Sequence, residues 1–434
     1  MSIANIRILH LAVSLLFLLQ LEVHGQNGVN SPYSRFGLGD IEDKGFAQSR
    51  AMGGLGIGLV NPKAINIANP ASYGYFKQQS FLFEVGLQTF RNKLLLTDTS
   101  QTTFGTSISY FALGFPITKW WGSSFGIKPF SKISYRVVDR ANLPNIGKVD
   151  YTFIGSGGLN QFYWGNAFQY KGLSIGINAS YLFGPYERSR REIFENANTF
   201  HYYSIETQKM GAFHFNYGLL YTHTFDSLSN KALQNKLTIS AGLTFDLSTK
   251  LTSKRSTIGV SFIDYLDEPF LIFPLDTTIN LSDTGEVLLP GSFGIGISAK
   301  IGKQWLFGFD YFTRFWSNFS SFDIKDSLAN SSRFSMGVQF NPDHRSNNYL
   351  KTVYYRLGFY YENTYLQMKG SRLNKYGTSF GIGLPLRKFG SIINLSYEIG
   401  RRGTIKDNLI QENYWSVFFG LTINDVWFLK RKYD

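Results

Sequence analysis

Residues 236–247, KLTISAGLTFDL, decide the fold of this chain. Leucine, isoleucine, alanine and phenylalanine occupy the odd-numbered positions, and lysine, threonine, serine, glycine and aspartate occupy the even-numbered ones. Neighbouring side chains of a β-strand point to opposite faces of the sheet, so this segment has one apolar face and one small or polar face. The same alternation recurs at 127–137, 173–181, 293–301, 353–362 and 393–400. The pattern predicts an all-β protein.

The character of the second face separates a membrane barrel from a large soluble β-sandwich or propeller. Small and polar residues on that face would make a poor dry core, whereas a transmembrane barrel directs them to its lumen. The chain is 17% aromatic and 17% charged, and an average over the two faces accounts for its mean hydropathy of −0.12. Alternating runs between Phe81 and Phe428 number about fourteen, and tight turns such as 300–303 and 386–390 separate some of them. We therefore predict a transmembrane antiparallel β-barrel of about fourteen strands.

The first 25 residues have the features of a secretory signal peptide. Arg7 and His10 precede the apolar run 11–19, and small residues follow before Gln26. This run is too short to cross about 30 Å of hydrocarbon as a helix. We predict a cleaved signal peptide at 1–25, an N-terminal plug or hatch segment at 26–78, a barrel at 79–430, and a location in the outer membrane of a Gram-negative cell.

Residues 50–76, RAMGGLGIGLVNPKAINIANPASYGYF, form the one long run that does not resemble a strand. Glycine is dense at its start, where Gly54-x-Gly56-x-Gly58 lacks the preceding buried strand and the following helix of a phosphate-binding loop. Near its end, the proline of Asn69-Pro70-Ala71 fixes φ and the asparagine can cap the adjacent backbone. An ordinary loop turn is the alternative for that tripeptide. We predict that the run fills or gates the barrel lumen.

The basic composition does not indicate a nucleic-acid partner. Net charge is +13 and the pI is about 9.5, but the cations are scattered and the one basic run is Lys430-Arg431-Lys432. Basic rims that meet anionic lipid headgroups are the better interpretation. The chain has no cysteine and no metal-ligand spacing, so we expect no disulfide, no metal and no cofactor.

A lipid hydrolase would need a nucleophile, a base and an acid. The histidines after residue 25 are His201, His214, His223 and His344. His214 lies in an alternating region with serines and Glu206 nearby, but a lone histidine there is more often a polar wall residue. We therefore predict that the protein is not an enzyme.

Further residues have structural interpretations. Asp310 and Arg314 share one strand face and are candidates for a charge network in the lumen. Tryptophans near the ends of the runs are candidates for interfacial girdles, namely Trp120, Trp121, Trp305, Trp316, Trp415 and Trp427.

Two regions resemble the FadL/OMPP1/TodX family of outer-membrane transporters, in a form similar to those of Bacteroidetes. One runs from Ala51-Met52-Gly53-Gly54 to Asn69-Pro70-Ala71. The other begins at Leu289-Pro290-Gly291-Ser292 and continues through Trp305, Phe309-Asp310-Tyr311 and Trp316 to Arg356-Leu357-Gly358-Phe359. The start at Ser31–Asp40 and the end after Gly400 depart from the fatty-acid transporters. The resemblance implies a fourteen-stranded barrel that its own N-terminus plugs and that passes apolar ligands, often through a lateral gap in its wall.

Two functions from different classes follow. The first is passive uptake of hydrophobic or amphipathic small molecules that resemble fatty acids, with outer-membrane lipids around the barrel and with Gly53, Gly54, Asn69, Pro70 and Ala71 as binding or gating residues. The second is a non-transporting structural subunit of an outer-membrane secretion or assembly complex. In that case the aromatic loop 315–322 and the basic C-terminal tail would contact envelope protein partners.

Overall fold

The computed structural model describes residues 31–42, 45–144, 146–195, 199–225, 236–263, 273–386 and 390–426. The predicted signal peptide at 1–25, most of the turn at 386–390, Trp427 and the basic run at 430–432 lie outside the described residues. Among the described helices, none is long and apolar enough to cross a membrane.

The chain is built almost entirely from antiparallel strands. In chain order they are β1 (Asp40–Ile41), β2 (Ser80–Leu95), β3 (Ser100–Pro116), β4 (Trp121–Pro129), β5 (Ser131–Leu143), β6 (Gly147–Gly157), β7 (Asn160–Tyr170), β8 (Leu173–Phe194), β9 (His201–Phe225), β10 (Leu237–Asp246), β11 (Thr249–Ile263), β12 (Phe273–Leu289), β13 (Ser292–Ile301), β14 (Trp305–Arg314), β15 (Ser320–Ser321), β16 (Ile324–Lys325), β17 (Ser331–Phe340), β18 (Tyr354–Met368), β19 (Ser371–Pro385), β20 (Ile392–Arg402) and β21 (Gln411–Val426).

Fourteen of these strands form a closed barrel. Each pairs with the next in the order β2, β3, β4, β7, β8, β9, β10, β13, β14, β17, β18, β19, β20, β21. The sixteen-residue ladder between β2 and β21, from Ser80↔Val426 to Leu95↔Gln411, closes the ring. The predicted strand number and antiparallel barrel are therefore confirmed.

The barrel wall is apolar outside and polar inside. On β10, Leu243 and Phe245 are exposed on the outer face, whereas Gly242, Thr244 and Asp246 are buried. This is the inverse of a soluble β-protein and the arrangement of a transmembrane barrel. The alternation in the sequence correctly predicted which residues face inward on this strand.

The two ends of the barrel differ. At one end, called here the turn end, short connections such as 171–172 and 302–304 join the strands. At the other end, the loop end, β8 and β9 continue past the barrel and pair with the hairpins β5–β6 and β11–β12. A six-stranded sheet in the order β5-β6-β8-β9-β11-β12 thus extends beyond the wall. Outer-membrane barrels have their short turns on the periplasmic side.

The prediction of one continuous alternating run at 127–137 is wrong. β4 ends at Pro129 and β5 starts at Ser131, and the backbone N–H groups of Phe130 and Ser131 both donate to the Leu159 carbonyl. The extra residue inverts the phase, so Ile127 faces outward whereas Ile133 and Tyr135 are buried. A bulge of this kind re-aims a strand, and here it turns β5 away from the barrel wall.

The prediction of an exposed aromatic loop at 315–322 also needs correction. Trp316 is 2% exposed and Phe319 is 3% exposed, so neither forms part of an interfacial girdle or of an outer contact surface. Trp316 packs on Tyr365 with ring centroids 4.5 Å apart, inside a buried apolar cluster at the loop end. Trp120 and Trp305 do lie exposed at the turn end, where interfacial aromatics are expected.

The described residues from 31 to 79 precede the first barrel strand and contain little regular structure. They include 3₁₀ turns at Pro32–Arg35 and Pro70–Tyr75, a single helical turn at Ala47–Arg50 and the two-residue β1, which pairs with β5. This part of the chain, called here the N-terminal segment, supplies many of the most buried residues of the molecule, among them Ala51, Met52, Ala71 and Tyr73.

The same substitution should lower the free energy of unfolding by different amounts in the barrel wall and in the loop-end sheet. Ile295 on β13 and Ile258 on β11 are similarly exposed, at 48% and 44%, but Ile258 lies in the sheet beyond the barrel. Ile295→Lys should lower the free energy of unfolding in phospholipid vesicles by about 2–4 kcal/mol, because a lysine near the bilayer midplane loses its hydration. Denaturant titration followed by tryptophan fluorescence measures this, with Ile258→Lys as the matched control. Equal destabilisation by both variants would contradict the assignment.

Candidate functional site

The inner wall carries glycines where the N-terminal segment approaches it. At Gly242 a Cβ atom would lie 1.9 Å from the Ile57 carbonyl oxygen, and at Gly358 it would lie 2.0 Å from the Gly53 nitrogen. No side chain fits at such distances, so the segment's backbone rests directly on the strands. Ten strands contribute one glycine each to this glycine seat, which consists of Gly122, Gly165, Gly176, Gly218, Gly242, Gly296, Gly337, Gly358, Gly381 and Gly420.

A buried carboxylate holds the glycine-rich part of the segment. Asp310 on β14 is 6% exposed and accepts hydrogen bonds from three successive backbone N–H groups, at 2.7 Å from Gly56, 2.8 Å from Ile57 and 3.4 Å from Gly58. Successive N–H groups that converge on one anion make a strong site, because bonds to a charged acceptor are about twice as strong as neutral ones. The carboxylate thus satisfies donors that would otherwise lie unpaired inside the barrel.

Side chains from other strands complete the attachment. Glu84 on β2 accepts the Ile65 N–H at 2.7 Å, and Ser298 on β13 donates to the Gly58 carbonyl at 2.7 Å. Arg333 on β17 donates to the Gly53 carbonyl at 3.1 Å. The segment is therefore bonded to strands on several sides of the barrel.

The structure places the five sequence-predicted site residues in two groups. Gly53 and Gly54 have φ values of +71° and +86°, which only glycine adopts readily, and the Gly53 N–H donates to Ser379 on β19 at 2.8 Å. The tripeptide Asn69-Pro70-Ala71 instead contacts β8 and β9, where the Asn69 amide donates to the Leu219 carbonyl at 3.1 Å. The two groups therefore rest on different strands.

The predicted capping role of the asparagine is confirmed. Asn69 Oδ1 accepts the Ala71 N–H at 3.1 Å, and Pro70 occupies the first position of the 3₁₀ turn that follows. A second bond, from Asn69 Nδ2 to the Ile57 carbonyl at 2.8 Å, ties this turn to the glycine-rich part. Whether these residues gate a passage stays a prediction.

Asp310 and Arg314 both face the lumen as predicted, but they have different partners. Arg314 binds Asp246 on β10, with the guanidinium nitrogen 3.0 Å from the carboxylate oxygen. Asp246 also accepts from Ser292 at 2.5 Å, so this buried network joins β10, β13 and β14. A buried arginine–aspartate pair tolerates the loss of one partner poorly, because the other charge is left uncompensated.

His214 belongs to the same region and is buried among polar side chains. Its Nδ1 lies 2.9 Å from the Thr249 hydroxyl, and its Nε2 lies 4.0 Å from Asp246. Glu206, which the sequence placed nearby, binds Arg188 at 3.3 Å instead. His214 is 2% exposed and is a polar wall residue, as the sequence favoured.

Between the N-terminal segment and the wall lies a cavity of about 300 Å³. Cations and anions alternate around it, and most of them point inward from barrel strands. This lining suits a polar or charged group better than a purely apolar molecule. The charged residues of the lining are Asp40, Glu42, Arg50, Lys128, Lys132, Asp310, Arg314, Arg333, Glu362, Lys375, Glu398, Arg402 and Glu412.

The wall next to this cavity has an interrupted ladder. β3 pairs with β2 along nearly its whole length, but it pairs with β4 only from Phe111 to Pro116. The other half of β3, residues 100–110, has no partner strand on that side among the described residues, because β5 pairs with β6 and β1 instead. We call this interruption the β3 gap.

Charged side chains cross the β3 gap. The Lys132 ammonium donates to Ser107 at 3.0 Å and binds Glu42 at 3.1 Å, and Arg50 lies 3.5 Å from Glu42. Burial by itself would raise the pKa of the Glu42 carboxyl, but Lys132 and Arg50 outweigh it and hold that pKa below its usual value. The gap is therefore bridged by side chains, whereas the rest of the wall is joined by backbone ladders.

A packed apolar cluster lies on the loop-end side of the cavity. It joins Tyr33 and Leu38 of the N-terminal segment to residues of the strands and loops. Phe130, Trp316 and Tyr365 belong to this cluster and also line the cavity. Apolar and charged surroundings therefore meet at these three rings.

Comparison with known proteins assigns the family. The sequence model of the BamG family matches residues 7–434, almost the whole chain. The chain belongs to the BamG family. Comparison with curated protein sequences gives no match.

Solved structures share the fold of this BamG-family chain at low identity. The Ralstonia pickettii toluene transporter TbuX has 14% identity and a TM-score of 0.58, over 88% of this chain and 98% of that one. The Pseudomonas putida toluene transporter TodX has 14% identity and a TM-score of 0.57, over 89% and 100%. A Pseudomonas aeruginosa FadL homologue has 11% identity and a TM-score of 0.57, over 90% and 100%. The resemblance to the FadL and TodX proteins is thus confirmed for the fold, within a chain of the BamG family.

Sequence reasoning missed the glycine seat, Glu84 and the binding role of Asp310 in this BamG-family barrel. The sequence did contain a signal for these residues, namely their positions on the alternating strands. Gly242 and Gly296 occupy inward positions of strongly alternating strands, where a missing side chain implies that something approaches closely. An acidic residue in the middle of an inward strand face likewise implies a partner, but the identity of that partner depends on three-dimensional contacts.

The three hydrogen bonds to Asp310 predict a local effect of removing its carboxylate. Asp310→Ala should increase amide hydrogen exchange at Gly56–Gly58 by at least about tenfold, since each orphaned buried donor costs about 1–3 kcal/mol. Hydrogen exchange with mass spectrometry in detergent micelles measures this. Ser240→Ala is the control, because Ser240 faces inward but bonds Thr222 of the neighbouring strand. Unchanged exchange at 56–58 would show that the carboxylate does not hold the segment.

Proposed function

We propose that the protein is a passive outer-membrane channel for amphipathic small molecules, with an apolar tail and a polar or charged head. The observation that carries this proposal is the β3 gap, which opens the wall beside an internal cavity. Residues that line the cavity, among them Glu42, Lys128 and Lys132, also line the space at the gap. A molecule in the cavity could therefore pass sideways into the membrane. No energy source is implied.

The tail and the head of such a ligand would meet different surroundings. The apolar cluster at the loop end offers burial at about 25 cal/mol per Å² to a hydrocarbon tail that leaves water. The charged lining of the cavity offers partners to a head group that could not enter an apolar lumen unpaired. Phe130, Trp316 and Tyr365 belong to both environments and would guide the ligand from one to the other.

The N-terminal segment is proposed as the hatch that closes the turn end. Its contacts with the glycine seat support a closed passage, since displacement of the whole segment would break the bonds to Asp310, Glu84 and Ser298. In this proposal Gly53, Gly54, Asn69, Pro70 and Ala71 hold the segment across the lumen, and the ligand leaves through the wall.

A structural role in an envelope complex is the second candidate function. The observation in its favour is the six-stranded sheet beyond the barrel, whose outer strand β12 pairs on its second side only at Val287 and Leu288 among the described residues. An open strand edge can accept another strand. A barrel whose internal segment is immobile could act through such surfaces without passing any ligand.

Closing the β3 gap covalently should stop transport. Ser107 and Lys132 bond across the gap and the chain has no cysteine, so a Ser107→Cys, Lys132→Cys variant can be joined by a short bismaleimide at one defined place. We expect liposomes with this variant to take up a labelled fatty acid faster than empty liposomes before cross-linking. After cross-linking, uptake should fall at least tenfold, because the proposed exit is blocked.

The control is a second cysteine pair, Thr89→Cys with Thr106→Cys, which joins β2 to β3 inside an intact ladder on the other side of the same strand. Cross-linking there should leave uptake within about twofold. Equal loss with both pairs, or uptake by the wild-type protein no faster than by empty liposomes, would count against the channel and leave the structural role as the better proposal.

A further inference from the structure

The turn end carries an unbalanced positive charge. Among the described residues, the connections and segment turns at this end contain nine lysine or arginine residues and one aspartate, in residues 60–79, 117–120, 171–172, 236, 300–304 and 341–352. A second aspartate, Asp425, lies near the end of β21. This end therefore carries a large part of the chain's net charge of +13. Fixed charge of one sign creates a potential that attracts an oppositely charged partner.

The loop end differs because several of its cations are paired with carboxylates. Arg140 binds Asp150 at 3.0 Å, and Lys250 binds Glu286 at 2.8 Å. Lys148 also binds Glu195 at 3.3 Å. By contrast, Lys63, Lys300, Lys303 and Arg345 make no ion pair with any of the residues that the structure describes. These four residues are called here the turn-end cluster.

The turn-end cluster is held in place by its backbone. Asn61 Oδ1 accepts the Lys63 N–H at 3.0 Å, and Asn61 Nδ2 donates to Gln48 at 2.8 Å. Lys303 lies in a turn whose Gln304 side chain donates to the Pro342 carbonyl at 2.9 Å. These bonds hold the backbone that carries Lys63 and Lys303 in the absence of any partner, which lowers the entropy cost of binding.

Lys63 occupies the mouth of the barrel instead of its lipid-facing rim. It belongs to the N-terminal segment, and its Nζ lies 3.6 Å from where a Cβ on Gly390 would be, beside the β19–β20 turn. It also acts electrostatically on Lys300 and His344, which belong to β13 and to the β17–β18 connection. In the barrel order, β13 and the β19–β20 connection lie on opposite sides of β14, β17 and β18. Lys63 comes near both, so it projects across the inside of the ring.

The positive charges of the cluster also act on a neighbouring histidine, His344. Partial burial lowers the pKa of His344, and the charges of Lys303 and Arg345 lower it further. The imidazole therefore stays neutral at neutral pH and adds no charge to the cluster. The cations that face a partner are the lysines and the arginine, with Asp343 as the acidic group among them.

We infer that the turn-end cluster is a docking surface for an acidic protein on the periplasmic side. Charge complementarity selects an acidic partner, and the position of Lys63 inside the mouth selects a protein over the membrane. Phospholipid headgroups lie around the rim of a barrel and do not cover its opening. This inference goes beyond transport and would stand if no ligand passed through the barrel.

A defined acidic peptide tests the surface directly. The full chain is placed in nanodiscs of zwitterionic phosphatidylcholine, and binding of a fluorescein-labelled deca-glutamate peptide is measured by anisotropy at several salt concentrations. In a Lys63→Gln, Lys303→Gln, Arg345→Gln variant, affinity should fall at least tenfold and depend less on salt, because fewer charges are neutralised on binding. Equal affinity of this variant and the wild type would overturn the inference.

The matched control removes three exposed lysines from the loop end, Lys93→Gln, Lys254→Gln and Lys325→Gln. This variant has the same net charge, so affinity within about twofold of the wild type supports a local surface. An equal loss in both triple variants would show that only net charge matters and would overturn the inference.

Competition separates a protein partner from a lipid surface. Vesicles that contain phosphatidylglycerol are added to the peptide complex at equal negative charge, and retention of the peptide supports the inference. Displacement of the peptide by these vesicles would assign the cluster to anionic lipid and overturn the inference.

In cells, a photo-cross-linking residue at Gln304 should give a protein adduct in the wild type and the loop-end variant. Persistence of that adduct in the turn-end variant would also contradict the inference.

Discussion

The bond between the Asp310 carboxylate and the backbone of Gly56–Gly58 is the constraint on which the interior depends. A chain segment without helix or strand inside a barrel leaves its N–H and C=O groups unpaired unless the wall supplies partners. Asp310 supplies them for three consecutive residues. The bonds need close approach of two backbones, and the glycine seat provides it. Inward glycines on ten strands and one inward carboxylate are therefore parts of the same solution.

The same bonds limit the routes by which a molecule could cross the barrel. Because the segment is bonded to strands around the barrel, the weakest part of the enclosure is the β3 gap, where side chains replace a backbone ladder. Lys132 spans this gap with one bond to Ser107 and one to Glu42. Side-chain bonds near a polar cavity break and re-form more easily than ladders of backbone bonds. The inward bulge at Phe130 creates the gap, since it directs β5 into the loop-end sheet instead of along β3.

The sequence predicted the barrel well because alternation in a wall between lipid and lumen is a local property that every strand repeats. It failed at Phe130, where one extra residue inverted the phase, and at Trp316, which the loop end buries. Both depend on contacts between residues distant in the chain. Asn69 was recognised because capping is local and Pro70 follows it directly. Asp310 was placed on the correct face, but its partners could not be predicted, since Gly56–Gly58 are about 250 residues away in the chain.

A continuous series of contacts joins the turn end to the β3 gap through the N-terminal segment. Asn61, which fixes the Lys63 turn, binds Gln48 in the helical turn Ala47–Arg50, and Arg50 in turn binds Glu42 at the gap. Such a series transmits an effect only if the segment has two arrangements of similar free energy. Residues 53–58 lie in the glycine seat under Asp310 and have little room for a second arrangement. The contact between Arg50 and Glu42 is a side-chain ion pair, so any influence of a bound partner on the gap would have to act there.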